Sequence, residues 1–217
     1  MLIDPHVNPL SLTPSAFIEQ MVEASIDGVV LALKHQVKEA LPYIQALNEN
    51  DFIVFQGVEL QLQKGSIVFI PDHLDQSFIR TDFKPKNGAF WSEKDAFELL
   101  KAFSGVVIAV HPYSRMSHSA LGDLVFALPR LDAIETRIAK GNAIRDLLCD
   151  EACKYKKVAR IASCSGDIKK LGMAVTAFND QIESQADLTQ AIRDQLCWPI
   201  EFENPLLPRD RYQGNSR

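Results

Sequence analysis

Four short apolar runs in this chain each stop on a histidine or a glutamate. Met1-Leu2-Ile3 leads into Asp4-Pro5-His6, and Gly28-Val29-Val30-Leu31-Ala32-Leu33 into Lys34-His35. Phe52-Ile53-Val54-Phe55 leads into Gly57-Val58-Glu59, and Val106-Val107-Ile108-Ala109-Val110 into His111-Pro112. Short apolar, β-branched runs bounded by turn residues predict buried strands. Imidazole and carboxylate groups repeated at the C-terminal ends of parallel strands are the means by which a βα-barrel builds a metal or catalytic site.

The segments between these runs favour parallel βα units. Thr13-Pro14 opens a helix, with Thr13 as N-cap and Pro14 at its first position. The spacing of Ala40, Ile44 and Leu47 predicts a helix over 36–50, in which Pro42 marks either a kink or a later start. Residues 52–60 and 66–70 read as strands joined by a hairpin at Gln63-Lys64-Gly65. Residues 71–87 carry two prolines and read as an irregular surface excursion. Trp91-Ser92-Glu93 opens a helix ending near Phe103. Strands follow over 105–110, 131–138 and 157–162, the last clear strand, with helices over 143–155 and 185–196. The polar residues 209–217 read as a frayed tail.

A length of 217 residues suits one α/β domain, since barrels of about 200–250 residues commonly stay single. A net charge of −5 argues against non-specific nucleic-acid binding, which needs a basic face. No apolar run approaches the roughly 18 residues that span a bilayer. The N-terminus is acidic within four residues and has no basic leader, so a cytoplasmic protein is the expectation. Cys149 and Cys153, four apart on one helix face, could supply half a zinc site. No second pair completes it, and buried free thiols are the favoured reading.

The order of landmarks resembles the PHP family, named for polymerase and histidinol phosphatase. The series runs from Asp4-x-His6 through Leu12-Thr13-Pro14, Asp27-Gly28-Val29-Val30 before His35, Gly57-Val58-Glu59 and His111-Pro112. It continues with Leu131-Asp132-Ala133-Ile134-Glu135, Ser165-Gly166-Asp167, Leu171-Gly172 and Thr176-Ala177-Phe178. It covers roughly residues 1–180. The resemblance implies a distorted seven-stranded βα barrel. It also implies zinc, manganese or iron at the strand ends, hydrolysing phosphate mono- or diesters.

Carried over by position, the resemblance places His6, His35, Glu59, His111 and Asp167 as metal ligands. Three other positions depart from the pattern: Asn8 and Lys169 replace histidines, and Ser66 or a shifted His73 stands for a third. The remaining donors suit one divalent ion and are thin for two. A lysine ammonium repels a cation but binds phosphate. Asp167 and Lys169, with Arg115 as a phosphate clamp, are therefore the candidate catalytic groups, and a small phosphorylated molecule is the expected partner. The replaced ligands support an alternative, a degenerate PHP domain that binds a phosphorylated ligand or a protein without catalysis.

Bland readings stand beside these. Asp167 could simply cap a helix, and Arg115 could be a solvated surface residue. Asp4 either orients the His6 ring from behind or is a strand-end carboxylate near the surface. Glu135 either supports the site or ends its strand near solvent. Arg137 and Asn142 are weaker candidates for the pocket wall. His73 and His118 read as surface residues.

Overall fold

The computed structural model describes residues 1–86, 88–114, 120–179 and 181–202. The chain forms β1 (Leu2–Val7), α1 (Pro14–Ala24), β2 (Gly28–Lys34), α2 (Leu41–Asn48), β3 (Ile53–Gln61) and β4 (Ser66–Pro71). Then come α3 (Gln76–Arg80), α4 (Glu93–Leu100), β5 (Gly105–Val110), β6 (Ala133–Ile138) and α5 (Ala143–Lys156). The last elements are β7 (Ala159–Ser163), β8 (Ala174–Phe178), α6 (Gln185–Arg193) and β9 (Cys197–Glu201).

The strands join in the order β7-β6-β5-β4-β3-β2-β1-β8-β9. β1, β2 and β3 are parallel neighbours, as are β5, β6 and β7. β4 runs antiparallel between β3 and β5, so these two sets point the same way. Their C-terminal ends therefore gather at one end of the sheet, where barrel enzymes place their chemistry.

The sheet curls into a nearly closed α/β barrel, and side chains stitch its seam. Thr176 Oγ1 on β8 accepts from the Ala162 N–H at 3.0 Å and donates to the Ala162 carbonyl at 2.8 Å. Just beyond β7, the Cys164 N–H donates to Asp4 Oδ2 of β1 at 2.9 Å. The fully buried Thr176 hydroxyl thus stands in for a ladder pair. Thr176→Val keeps the shape and strands one buried N–H and one C=O. The expected cost is about 1–3 kcal/mol, seen as a lower urea midpoint with unchanged slope. A loss under about 0.5 kcal/mol, within the range of an ordinary surface substitution, would contradict this account of the seam.

Several expectations need correction. The described residues hold nine strands, not seven, and beside the expected hairpin of β3 and β4 there are antiparallel pairings of β4 with β5 and of β8 with β1 and β9. β8 and β9 are five residues each, and β9 carries Pro199, which suits an edge strand that lacks one N–H. The helix expected over 36–50 is a 3₁₀ turn, Lys38–Ala40, followed by α2, with Pro42 in its first turn rather than at a kink. Residues 71–87 include the short helix α3, capped by Asp75. Thr13 caps α1 as expected, accepting from the Ala16 N–H. The 209–217 tail lies outside the described residues.

Alternation along the strands separates two apolar layers. Ile3, Val30, Ala32, Phe55, Val68, Val106, Ile108, Ala133 and Ile161 pack as one core with Leu188 and Ile192 of α6. The intervening residues face the outer helices: Val29, Leu31 and Leu33 meet α1 and α2, and Val107, Ala109 and Ile134 meet α4 and α5. Counting by two along the inner layer leads from Val30 to Lys34, from Phe55 to Glu59, from Ala133 to Glu135 and from Ile161 to Ser163. The apolar interior thus ends in a polar floor at the C-terminal strand ends.

Candidate active site

That polar floor lines a pocket of about 160 Å³, bounded by His6, Asn8, Lys34, Glu59, His111, Ser165 and Gly166. His6, on β1, is almost completely buried. Its Nε2 lies 3.4 Å from Glu59 Oε2, and its Nδ1 lies 3.6 Å from Glu135 Oε1. The His6 and His111 rings lie nearly parallel, with centroids 6.2 Å apart. Lys34, the register partner of Glu59 on the neighbouring strand, lines the same pocket, and its charge helps to lower the Glu59 pKa.

Glu135 has no exposed surface. Its Oε2 accepts from the His111 backbone N–H at 2.6 Å and from the Ser165 hydroxyl at 3.2 Å. Its Oε1 accepts from the Ser163 hydroxyl. Arg145, also buried, donates to the Glu135 carbonyl at 2.8 Å, and its Nη2 lies 3.9 Å from Oε2. The loop after β7 turns through left-handed backbone at Ser165 (φ 57°) and Gly166 (φ 74°). A Cβ at Gly166 would come within 3.4 Å of His6 Nε2, so glycine there keeps space open beside that nitrogen.

These contacts shift the titrations. Burial opposes charge on His6, but the carboxylates of Glu135 and Glu59 outweigh it and raise its pKa to about 10. Burial would raise Glu59 and Glu135, yet their bonds to His6 lower both to about 2. Burial lowers the His111 pKa, against the pull of Glu135. The stability from His6 is fully present below its ordinary pKa of 6.5 and is lost as pH rises through about 10. The stability from the two carboxylates is present above 4.5 and lost as pH falls through about 2. In urea titrations, the advantage of wild type over His6→Gln should therefore shrink steadily from pH 6.5 toward 10. An advantage independent of pH would contradict a charged cluster.

Of the residues singled out from sequence, His6, Glu59 and His111 meet in this pocket. His35, with left-handed backbone (φ 55°), is not among them and lines a neighbouring groove with Lys38, Glu39, Arg80, Asp82 and Lys84. Burial lowers its pKa, against the pull of Glu59 and the Phe83 backbone. Asp167 caps the 3₁₀ turn Ile168–Lys170 through the Lys169 N–H and pairs with Lys170 at 3.2 Å. Neither Asp167 nor Lys169 is among the residues lining the pocket. Arg115 and His118 lie outside the described residues.

Asp4 fits neither reading made of it. It is fully buried, accepting from the His6 and Cys164 backbone N–H groups, and burial raises its pKa to about 7. It thus fixes the backbone of β1 against β7 rather than orienting a ring. Arg137 pairs with Asp150, Asn142 caps α5, and His73 is exposed. Ser66 is buried, with no partner for its hydroxyl. The four cysteines are free and buried. Lys34, Ser163 and Ser165 are not among the site residues expected from sequence, which leaves two roles open for Glu135. Counting by two from the apolar interior finds three of these four.

Among the described residues, no three His, Cys, Asp or Glu side chains already enclose one point as a metal site does. The His6 Nε2 to Glu59 Oε2 separation of 3.4 Å is nonetheless that of two corners of a tetrahedron with bonds of about 2.1 Å. His111 lines the same pocket, so these three donors are the ones that could share one ion, while Asn8 and Lys34 on the adjoining wall offer no ligands for a second.

No family model and no curated protein sequence matches this chain. Solved structures do. PsfC from Pseudomonas syringae superposes with a TM-score of 0.66 at 16% identity, over 94% of this chain and 92% of that one. A Bifidobacterium adolescentis protein provisionally named a metal-dependent phosphoesterase gives 0.58 at 11%, over 89% and 96%. An amidohydrolase from Chromobacterium violaceum, with sulfate bound and no metal, gives 0.56 at 12%, over 74% and 86%. The barrel-like α/β fold is thus shared with a protein provisionally named a metal-dependent phosphoesterase and with an amidohydrolase. Among the described residues, no helix is long and apolar enough to cross a membrane.

Proposed function

We propose that the protein is a metal-dependent phosphoesterase of the PHP kind, holding one divalent ion. The observation that carries this reading is the His6–Glu59 edge, set at ligand spacing in a pocket where parallel strands end. His6, Glu59 and His111 would hold the ion. When bound, it supplies Lewis acidity and a water of lowered pKa.

The chain's own residues do the rest. The Lys34 ammonium neutralises an oxygen of the bound phosphoryl group. The pocket volume of about 160 Å³ equals the liquid share of roughly five waters, room for a phosphoryl group but not a whole substrate. The leaving group of a small phosphorylated molecule would then lie along the neighbouring groove, a polar surface where Lys38, Arg80 and Lys84 stand among Glu39 and Asp82. Asp167, Lys169 and Arg115 are not needed for this account.

A second reading, phosphate binding without hydrolysis, is favoured by the Lys34 ammonium beside a donor set that does not close around a point. The two part in one experiment. Metal-free protein is loaded in turn with Zn²⁺, Mn²⁺ or Fe²⁺ and assayed on a chromogenic phosphate monoester and diester. Hydrolysis that needs the ion and stops with chelator supports the enzyme. Inorganic phosphate binding with no turnover under any ion supports the second reading. For the enzyme, Lys34→Ala should raise KM about tenfold or more, the worth of one hydrogen bond to a charged group, with kcat much less affected.

A further inference from the structure

We infer that Glu135 is the positioning residue of His111: its carboxylate holds that residue's backbone directly and, through Ser165, sets the Nδ1 edge of its ring, leaving Nε2 for what the pocket binds. The inference rests on the proposed use of that histidine. Hydrogen-bond chemistry assigns the protons. An ionised carboxylate only accepts hydrogen bonds. The Ser165 hydroxyl, 3.2 Å from Glu135 Oε2, must therefore direct its proton there. Its oxygen is then left to accept from His111 Nδ1, 3.1 Å away. Nδ1 of His111 thus carries the proton, and in a neutral imidazole Nε2 is then the bare nitrogen. The opposite arrangement, with Ser165 donating to His111, would turn a hydroxyl lone pair on a buried carboxylate.

The second ring is held differently: Oε1 lies 3.6 Å from His6 Nδ1, an ion-pair distance and not a hydrogen bond, and His6 Nε2 faces Glu59. Glu135 is itself held from every side. Ser163 donates to Oε1 and accepts from the Ser165 N–H at 2.8 Å. The His111 N–H donates to Oε2 at 2.6 Å, so one oxygen fixes that residue's backbone and, through Ser165, its ring. Arg145 supplies the compensating charge, with no exposed path to solvent for Glu135. Carboxylates behind ligating histidines fix ring tautomer and orientation, and their loss costs about 10–100-fold in metal affinity.

The test uses metal-free full-length protein with ¹⁵N-labelled histidine. Long-range ¹H–¹⁵N spectra of wild type should show His111 as the Nδ1–H tautomer. Glu135→Gln presents one oxygen and one NH₂, and cannot accept from Ser163, Ser165 and the His111 N–H together. His111 should then shift toward the Nε2–H tautomer, and Zn²⁺ affinity by titration should fall about 10–100-fold. Ser165→Ala breaks the His111 branch alone, so the His111 signals should change and those of His6 should not. If Glu135→Gln does not fold, Ser165→Ala decides. A wild-type His111 in the Nε2–H form, or Nδ1–H signals untouched in every folded variant, overturns the inference. Wild type that takes up no Zn²⁺ while showing the expected tautomers would refute the hydrolase reading and leave the positioning role standing.

Discussion

Arg145→Met is expected to lower the stability of the fold by about 3–5 kcal/mol, the usual cost of removing one partner from a buried ion pair. Arg145 is 3% exposed and faces Glu135, which is 0% exposed. Its guanidinium also donates to the Thr136 carbonyl at 3.1 Å and to Asp146 at 2.8 Å. Methionine fills similar space and satisfies none of these groups. The midpoint in urea should fall accordingly, and the near-native slope should persist. A loss under about 1 kcal/mol would mean that Glu135 is neutral, which would undercut the whole polar floor. The double variant Arg145→Met/Glu135→Gln removes both charges, so it should lose less than the two single losses added together.

Glu59→Gln is expected to reduce hydrolysis at least about 10³-fold in kcat/KM. That is about 4 kcal/mol, within the several kcal/mol of transition-state charge stabilisation that a bound ion supplies. The amide keeps the side chain's shape, and His6 keeps Glu135 as its partner, so the fold should survive. The assay is turnover of whichever phosphate ester the wild type cleaves, with circular dichroism as the control on folding. A variant within tenfold of wild type would remove Glu59 from the ion's ligands and with it the observation on which the function rests.

Much of the barrel could be read from the chain, for physical reasons. Runs such as Val106–Val110 are buried on both faces, so nearly every residue is apolar and the pattern is plain. The Thr13 cap with Pro14 behind it announces a helix start by local chemistry alone. The missed pieces lack local signals. β8 and β9 are short, β9 holds a proline that only its edge position tolerates, and β8 pairs with β1 at the other end of the chain. The antiparallel β4, by contrast, is legible through the hairpin expected at Gln63-Lys64-Gly65, which fixes its direction.

The site was legible in part for the same reason. His6, Glu59 and His111 end apolar runs and were visible as breaks in hydrophobicity. Glu135 ends such a run too, but its importance comes from Ser163, Ser165 and Arg145, which only the folded chain brings to it. Asp167 shows the converse: an acid beyond the end of β7 whose side chain is turned to its own short turn and to Lys170. Family order places it with the ligands, while the structure shows it as a cap.

The central claim, that His6 and Glu59 share one ion, is most directly tested by the metal content of purified protein, wild type beside the His6→Ala/Glu59→Ala double variant. Removing both partners together avoids stranding either charge in the pocket. About one equivalent of zinc, manganese or iron in wild type, absent from a folded double variant, is the predicted result. Wild type that remains metal-free after incubation with all three ions, or a double variant that retains its metal, would contradict the claim.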